Sequence, residues 1–463
     1  MDTDDNMDHS QDPLEAIERG ANPKDDQVDP QAERSSRCPC RRKGTSACQK
    51  RRRFVVFTFL SLLAIICFTH LPSRIISKLS RLPDKLNRLY LGIGGDWEES
   101  TPGCVTSDPW SFNVTQGSGA STSWFGSATY DLPSSADNLF VLARGPKMSG
   151  NVDIVTSESD SDDFRVEVRA LHDRQALTNV KICTLEPYES RIGVGIFTPP
   201  HWRFWGGPRN PLRFEITVHI PRVKSPPRLQ ATCKHLSLYS RMLSHTFGDL
   251  SESVKLGGIY VISNQAISAV SLFARTLSVV TFKAPIEGYY QAEQYLNLQA
   301  HESNVKASAT LYNVGGMRPP FFSLKARNGG IDANVSLIDM VSSPTPSFSG
   351  VVEVSNGPLN LAFPNQPLNS ELSFRVDGMH APVNITLHPA YQGKFNLATS
   401  HAQPQVEDRG VQDPAGKGRY RSILQDSDGV GRVTGLVYWD AERNVDGSVV
   451  EVKTCHAPVR LSL

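Results

Sequence analysis

Apolar and polar side chains alternate along most of the chain beyond residue 130. Asn138–Leu142, Val152–Val155, Phe164–Val168 and Leu212–Ile220 put an apolar residue at every second position. That is the period of a strand with one face buried. Pro199, Pro200, Pro208, Pro211 and the Gly206–Gly207 pair mark loops between such runs. Residues 104–245 therefore read as one β-rich, sandwich-like unit, with Trp202, Phe204 and Trp205 anchoring a loop against it or, as the alternative, forming a platform for stacking carbohydrate.

From residue 246 to 463 the alternation becomes a repeat. It can be followed through 261–272, 279–290, 298–311, 324–337, 352–363, 374–387, 397–406 and 450–463. Each segment holds an alternating strand, a small or polar turn, and a second alternating strand. Ile267, Ile286, Val305, Ile331, Leu359 and Val383 occupy the same position after the turn. A two-stranded unit cannot bury its apolar face alone, so repetition implies stacking into a β-solenoid or elongated sheet, with a twisted antiparallel sandwich as the alternative.

One stretch breaks the β pattern. In Phe54–Leu71, twelve of eighteen residues are Leu, Ile, Val or Phe. As a helix it spans about 27 Å, near the hydrocarbon thickness of a thin bilayer. The region before it is too long for a cleaved signal peptide, and Leu71-Pro-Ser-Arg74 offers no small-residue cleavage site. Nine Lys and Arg at 34–53 face five at 72–91. This bias predicts a cytosolic N-terminus and a type II signal-anchor arrangement. The expected organisation is a disordered tail (1–53), a transmembrane helix (54–71), a basic amphipathic stalk (72–103), the β-rich unit (104–245) and the repeat module (246–463). The expected fold class is mainly β, and the expected location is the secretory pathway or the cell surface.

Composition sharpens this picture in two places. With 48 basic and 47 acidic residues the net charge is +1, which gives no general pull toward nucleic acid. The balance hides a tail with ten acids in residues 1–30 followed by the basic run before the apolar stretch. Cys38, Cys40 and Cys48 stand on the cytosolic side, beside that basic run, and are candidates for acylation. Cys104, Cys183, Cys233 and Cys455 lie on the lumenal side, where they are candidates for disulfides. Of their three possible pairings, proximity in sequence favours Cys183–Cys233. The sequons at Asn113, Asn334 and Asn384 all fall on that side too.

The repeated turn, the junction Ser244–Val254, and the motifs Leu387-His-Pro-Ala-Tyr-Gln-Gly393, Pro414-Ala-Gly-Lys-Gly418 and Gly435-Leu-Val-Tyr-Trp439 resemble an uncharacterised fungal family of single-pass membrane proteins. Its repeats are similar to those of adhesin-like β-repeat proteins. The resemblance covers most of 130–463 and implies a fold and a surface location. It brings no catalytic residues. Where such families carry Ser-Asn-Gly/Ala-Pro at the turn, this chain has Phe-Lys-Ala-Pro, Met-His-Ala-Pro and Cys-His-Ala-Pro.

The search for chemistry finds little. Asp160-Ser-Asp162 and Asp426-Ser-Asp428 match the metal-holding string of many glycosyltransferases, but both lie in loop-like Ser/Asp-rich stretches. Alternating βα units are missing, Gly429-Val-Gly431 is followed by no helical pattern, and no Gly-x-Ser-x-Gly elbow occurs. His380, His401 and His456 fall at equivalent turn positions among Ala and Pro, and read as exposed turn residues rather than a metal ladder. No catalytic, cofactor or metal residue is assigned. The expected role is a membrane-anchored structural or interaction protein, held in the lipid bilayer and displaying an adhesin-like β-repeat surface to cell-wall polysaccharide, glycans or a surface protein. The alternative is a membrane-anchored glycan-processing enzyme with its site in 104–245.

Overall fold

Period two forces each strand to choose an inside and an outside, and the burial follows it. In Ile331–Asp339, Ile331, Ala333, Val335 and Leu337 are buried while Asp332 and Asn334 are exposed. The computed structural model describes residues 104–463 except 107–109, 116–122, 158–161, 173, 189, 204–209, 223–232, 252–253, 255 and 441–446. The chain divides into two compact units, 1–76 and 77–463, and every described residue belongs to the second. The expected tail, span, stalk and Cys38, Cys40 and Cys48 thus lie outside the described residues. No helix among those described is long and apolar enough to cross a membrane.

The strands are β1 (Cys104–Thr106), β2 (Ser111–Thr115), β3 (Ser123–Leu132), β4 (Asn138–Arg144), β5 (Met148–Thr156), β6 (Phe164–His172), β7 (Lys181–Tyr188), β8 (Arg191–Phe197) and β9 (Leu212–Ile220). They continue as β10 (Cys233–Ser240), β11 (Ser244–Asp249), β12 (Leu256–Ser263), β13 (Ile267–Thr281), β14 (Ile286–Ala300), β15 (Val305–Asn313), β16 (Phe321–Ala326), β17 (Ile331–Asp339) and β18 (Ser347–Val354). The last are β19 (Leu359–Asn365), β20 (Glu371–Gly378), β21 (Val383–Thr386), β22 (Gly393–Thr399), β23 (Gln405–Glu407), β24 (Arg421–Ser427), β25 (Arg432–Trp439), β26 (Val449–Thr454) and β27 (Val459–Ser462). A single helical turn, α1 (Arg174–Leu177), and a 3-10 turn at Pro200–Arg203 complete the described elements.

These strands form two rows. The first row runs β8, β4, β10, β12, β13, β14, β16, β18, β20, β26, β22, every neighbouring pair parallel. The second runs β9, β5, β11, β13, β14, β15, β17, β19, β21, β27, β23, again all parallel. Each rung is therefore one strand of the first row, a corner, and one strand of the second. The fifteen-residue strands β13 and β14 run through both rows. This is the stacked-rung architecture of a β-solenoid.

The six aligned aliphatics form a continuous ladder. Ile267 pairs with Ile286, Ile286 with Val305, Val305 with Ile331, Ile331 with Leu359, and Leu359 with Val383. All are essentially inaccessible to solvent. Burying each is worth about 1.5–3 kcal/mol, so the ladder is a main reason the rungs stay in register. One further step along, His245 occupies the same position opposite Ile267.

Three of the corners are closed by a threonine hydroxyl. Thr281, Thr399 and Thr454 each donate to the carbonyl three residues ahead, of Ala284, Ala402 and Ala457. Such local bonds satisfy backbone groups that would otherwise be stranded at a bend. The corner at Met379-His-Ala-Pro382 follows Gly378 instead and has no such hydroxyl.

The structure departs from the expected organisation at residue 245. Parallel pairing continues unbroken from β4 and β5 through β10 and β11 into β12 and β13. The unit expected over 104–245 is thus the beginning of the same stack and not a separate sandwich. Antiparallel strands extend both rows at one end, through β7 and β1 and through β6, β3 and β2, and extend the first row at the other, through β25 and β24.

Sequence order and stacking order disagree at the far end. The pair β26 and β27, last in sequence, lies between β20–β21 and β22–β23.

Candidate functional site

The outward face of the first row changes character along the stack. Its early part carries rings. Tyr260 and His235 approach at 5.9 Å, and Tyr295 stacks almost parallel on Phe321 of the next strand, with centroids 5.8 Å apart. Tyr295 is 39% exposed, and Tyr260 and Phe321 are half-buried. The later part carries alternating charge: Lys325 pairs with Glu353 at 2.8 Å, Arg375 with Asp377 at 2.8 Å, and Lys453 with Glu451 at 2.7 Å. Exposed pairs of this kind contribute little stability, and here they leave a flat face of balanced charge. At the capped beginning of the row, Phe140, Leu142, Cys183, Leu185 and Phe197 form a second, smaller apolar cluster.

The outward face of the second row holds a groove of about 480 Å³. It forms beside Gly288, opposite a bulge that gives β13 one extra residue between Ala269 and Leu272; the φ of Gly288, +131°, is one no side chain adopts easily, and an added Cβ would meet Ala269 O at 2.1 Å. Glu287, Tyr289, Lys306, Asp332 and Asn334 line it. The Tyr289 hydroxyl hydrogen-bonds Thr310 Oγ1 at 2.9 Å, which lays the ring across β15. Below it Tyr290 is fully buried, donates to Glu287 O at 2.9 Å, and has its phenol pushed well above the usual range by burial. Nearer the beginning, on the same face, a second cavity of similar size is lined by Arg165, Glu167, His219, Arg222 and the hydroxyl-bearing Thr156 and Ser157. Here His219 Nε2 lies 3.6 Å from Glu167 Oε1, and Arg165 is tied to Asp131 at 2.8 Å.

The candidate residues from the sequence fall as follows. Asn334 and Asn384 are both exposed on the outward face of the second row, two strands apart. Asn113 lies in β2 and Cys233 in β10, but their side chains are outside the described residues. Cys183 bonds to Cys104, not to Cys233. Antiparallel pairing of β1 with β7 places Cys104 opposite Leu185, beside Cys183, and overrides proximity in sequence. Cys455 is a half-buried thiol at a corner. Asp160 is outside the described residues. Asp162 and Asp426 are exposed, and Asp428 spends its carboxylate on the N–H groups of Val430, Gly431 and Arg432. That loop role explains the Asp-Ser-Asp string without a metal. Trp202 is buried, as a loop anchor should be, whereas Phe204 and Trp205 lie outside the described residues.

The three corner histidines come together. His456 stacks on His380 with centroids 5.2 Å apart, and lies 4.4 Å from His401, whose Nδ1 bonds Cys455 O at 2.9 Å. Asn328 and Asn356 continue the same corner line through an amide bond of 2.7 Å. The rings stack along the solenoid instead of converging, and among the described residues no cluster of His, Cys, Asp and Glu is placed to hold a metal ion.

At the far end, the motifs at 387–393, 414–418 and 435–439 pack on one another. Trp439 Nε1 donates to Pro389 O at 2.9 Å, and its backbone N–H donates to Gln392 Oε1 at 3.2 Å. Arg419 and Arg421 both approach its ring at 5.8 Å. Asp413 takes N–H bonds from Ala415, Lys417 and Arg419 and a 2.7 Å bond from the Arg419 guanidinium, which together hold its carboxyl well below the usual range. Residues that sequence reading missed are the outward ones: Glu287, Tyr289, Lys306, Tyr295, His219 and Glu167. Their only signal was their phase within each strand.

No protein-family model matches the chain, and no curated protein matches it. Solved structures similar to it include a "putative cell adhesion protein" from Clostridium sporogenes, 8% identical, covering 73% of this chain and 98% of its own with a TM-score of 0.16. A "putative adhesin" from Parabacteroides distasonis is 12% identical and covers 57% of this chain and 90% of its own, with a TM-score of 0.29. Another from Bacteroides fragilis is 8% identical and covers 73% and 96%, with a TM-score of 0.26. The likeness is weak and concerns the β fold alone.

Proposed function

We propose that this is a membrane-anchored interaction protein, held by Phe54–Leu71 with its N-terminus in the cytosol, that presents the first-row face of its solenoid to a carbohydrate polymer of the cell wall or cell surface. The observation that carries the reading is the stacked pair Tyr295 and Phe321 in one register row of a regular sheet face, with half-buried Tyr260 on the same face in the register row of Asn297. Sugar rings stack on aromatic faces, and a polymer lying along the stack would meet a strand every 4.7–4.9 Å or so. The sequons with described side chains, Asn334 and Asn384, lie on the opposite face, which leaves this one open. The test is sedimentation of the purified full chain with insoluble wall polysaccharides. Tyr295→Ala with Phe321→Ala should reduce binding at least tenfold, and Lys325→Ala should not. Equal binding by the aromatic variants would remove the reading.

One observation favours a second reading, a membrane-anchored glycan-processing enzyme. His219 and Glu167 share a cavity with two arginines, which supplies an acid–base pair and anion donors in one place. Release of reducing sugar from the same polymers, abolished by Glu167→Gln, would support the enzyme over the binder.

A further inference from the structure

The groove beside Tyr289 has a sequon asparagine in its wall. Asn334 is exposed, Ser336 of the same sequon is on the same face of β17, and the two sit in register with β15. Tyr289 pairs with Ser308 and Ser308 with Asn334, so asparagine and tyrosine occupy one row, two strands apart. At the usual strand spacing that is about 9–10 Å. The strand between them is β15, the one across which the Thr310 bond lays the Tyr289 ring. The ring is thus a fixed apolar platform within the reach of a sugar carried on Asn334. Glu287, Lys306 and Asp332 stand in the neighbouring row and supply acceptors and donors for sugar hydroxyls. The groove, at about 480 Å³, is in the size range of small-ligand sites.

We propose that Asn334 is N-glycosylated and that the groove is the seat of this chain's own glycan, whose innermost sugars lie on Tyr289. The inference rests on the secretory-lumen reading given above. Its consequence is a division of labour between faces. The second-row face is occupied by the chain's own sugar at Asn334, and the first-row face stays free for a foreign one. Asn384 provides an internal comparison. It is a sequon on the same face, but its amide donates to Asn360 Oδ1 at 3.0 Å and it is not in the lining of this groove.

The experiment uses the full chain made in a eukaryotic secretory host, with site-resolved glycopeptide mass spectrometry after timed digestion of the native protein by an endoglycosidase. The expected result is a sugar on Asn334 that is released at least tenfold more slowly than the one on Asn384. Tyr289→Ala should bring the two rates together, and Tyr289→Phe, which keeps the ring but loses the bond to Thr310, should give a release rate between those of the unaltered chain and Tyr289→Ala. Thermal unfolding of both variants checks that they are folded. Should Tyr289→Ala fail to fold, Glu287→Ala and Lys306→Ala are measured in its place and should each speed release at Asn334 alone. Equal release from Asn334 and Asn384 in the unaltered chain overturns the proposal. So does a chain modified at Asn384 but not at Asn334, a result that leaves the secretory reading standing. A chain with no sugar at Asn113, Asn334 or Asn384 overturns the secretory reading and the proposal together.

Discussion

Val383 and Val459 lie side by side in adjacent parallel strands, although β22 to β25 separate them in sequence. The final rung is an insert. It pairs β26 with β20 on one side and with β22 on the other, so its apolar residues are enclosed by strands from two earlier parts of the chain.

Leu461 tests how much that insertion contributes. It is fully buried between Ile385 and Val406. Leu461→Ala should cost about 2–5 kcal/mol, because a cavity opens where two rungs meet and neither can collapse alone. Val449→Ser, at an exposed outward position of the same rung, should stay within about 0.5 kcal/mol. Urea unfolding followed by circular dichroism measures both, and equal costs would contradict the insertion.

His245 should make the fold acid-sensitive. It is 1% exposed, bonds Ser240 Oγ at 3.0 Å, and burial lowers its pKa to about 3. Below its ordinary pKa of about 6.5 the unfolded chain takes up a proton that the folded chain refuses. Stability is therefore full above about pH 6.5 and falls as the pH drops toward 3. From pH 6.5 to 5 the loss is roughly 2 kcal/mol. His245→Leu should show a smaller loss over that interval by about the same amount, read from denaturant midpoints at pH 7 and pH 5. An identical pH slope in the variant would mean that His245 is not neutral in the fold.

The disulfide should matter more than its position near the start suggests. Cys104 and Cys183 are 79 residues apart, and closing a loop of that size is worth about 4 kcal/mol in the chain-entropy account, with measured values of roughly 2–5. Cys104→Ala with Cys183→Ala should lower stability by that amount, and the unaltered protein under reducing conditions should match it. The loss should be seen in the second apolar cluster, where Cys183 packs with Phe140 and Leu185.

Arg421 offers the opposite sign. Its guanidinium nitrogens are shielded from solvent and make no hydrogen bond, and burial lowers its pKa. The Trp439 ring compensates only in part. Arg421→Met keeps the stem and removes the charge, and should raise stability by about 1 kcal/mol. A lower melting temperature in the variant would show that the charge has a stabilising partner after all.

The stack was legible in the sequence for a simple reason. Each corner turns the chain toward the interior, so Ile267, Ile286, Val305, Ile331, Leu359 and Val383 all had to be aliphatic, and their alignment survives as physical contact. The continuity across residue 245 was hidden because the early corner, Arg144-Gly-Pro-Lys147, has a different composition, and because histidine replaces the aliphatic at 245. The disulfide could not be read because strand pairing, unlike sequence distance, is decided by the partner β7 offers to β1. Outward positions such as Tyr289 and Tyr295 answer to solvent rather than to packing. The period says where they point and nothing of what gathers beside them.

The place of β26 and β27 also sets an order of events during synthesis. As the ribosome delivers the chain, β20–β21 and β22–β23 emerge first and cannot close on each other without leaving out the rung that belongs between them. Until 449–463 arrives, two parallel strand edges stand open, each a template for pairing with another molecule. A chain that stalls or is cut in that interval is sticky, and a natural client for chaperones. This rung thus acts as a keystone: its arrival pairs both of those open edges.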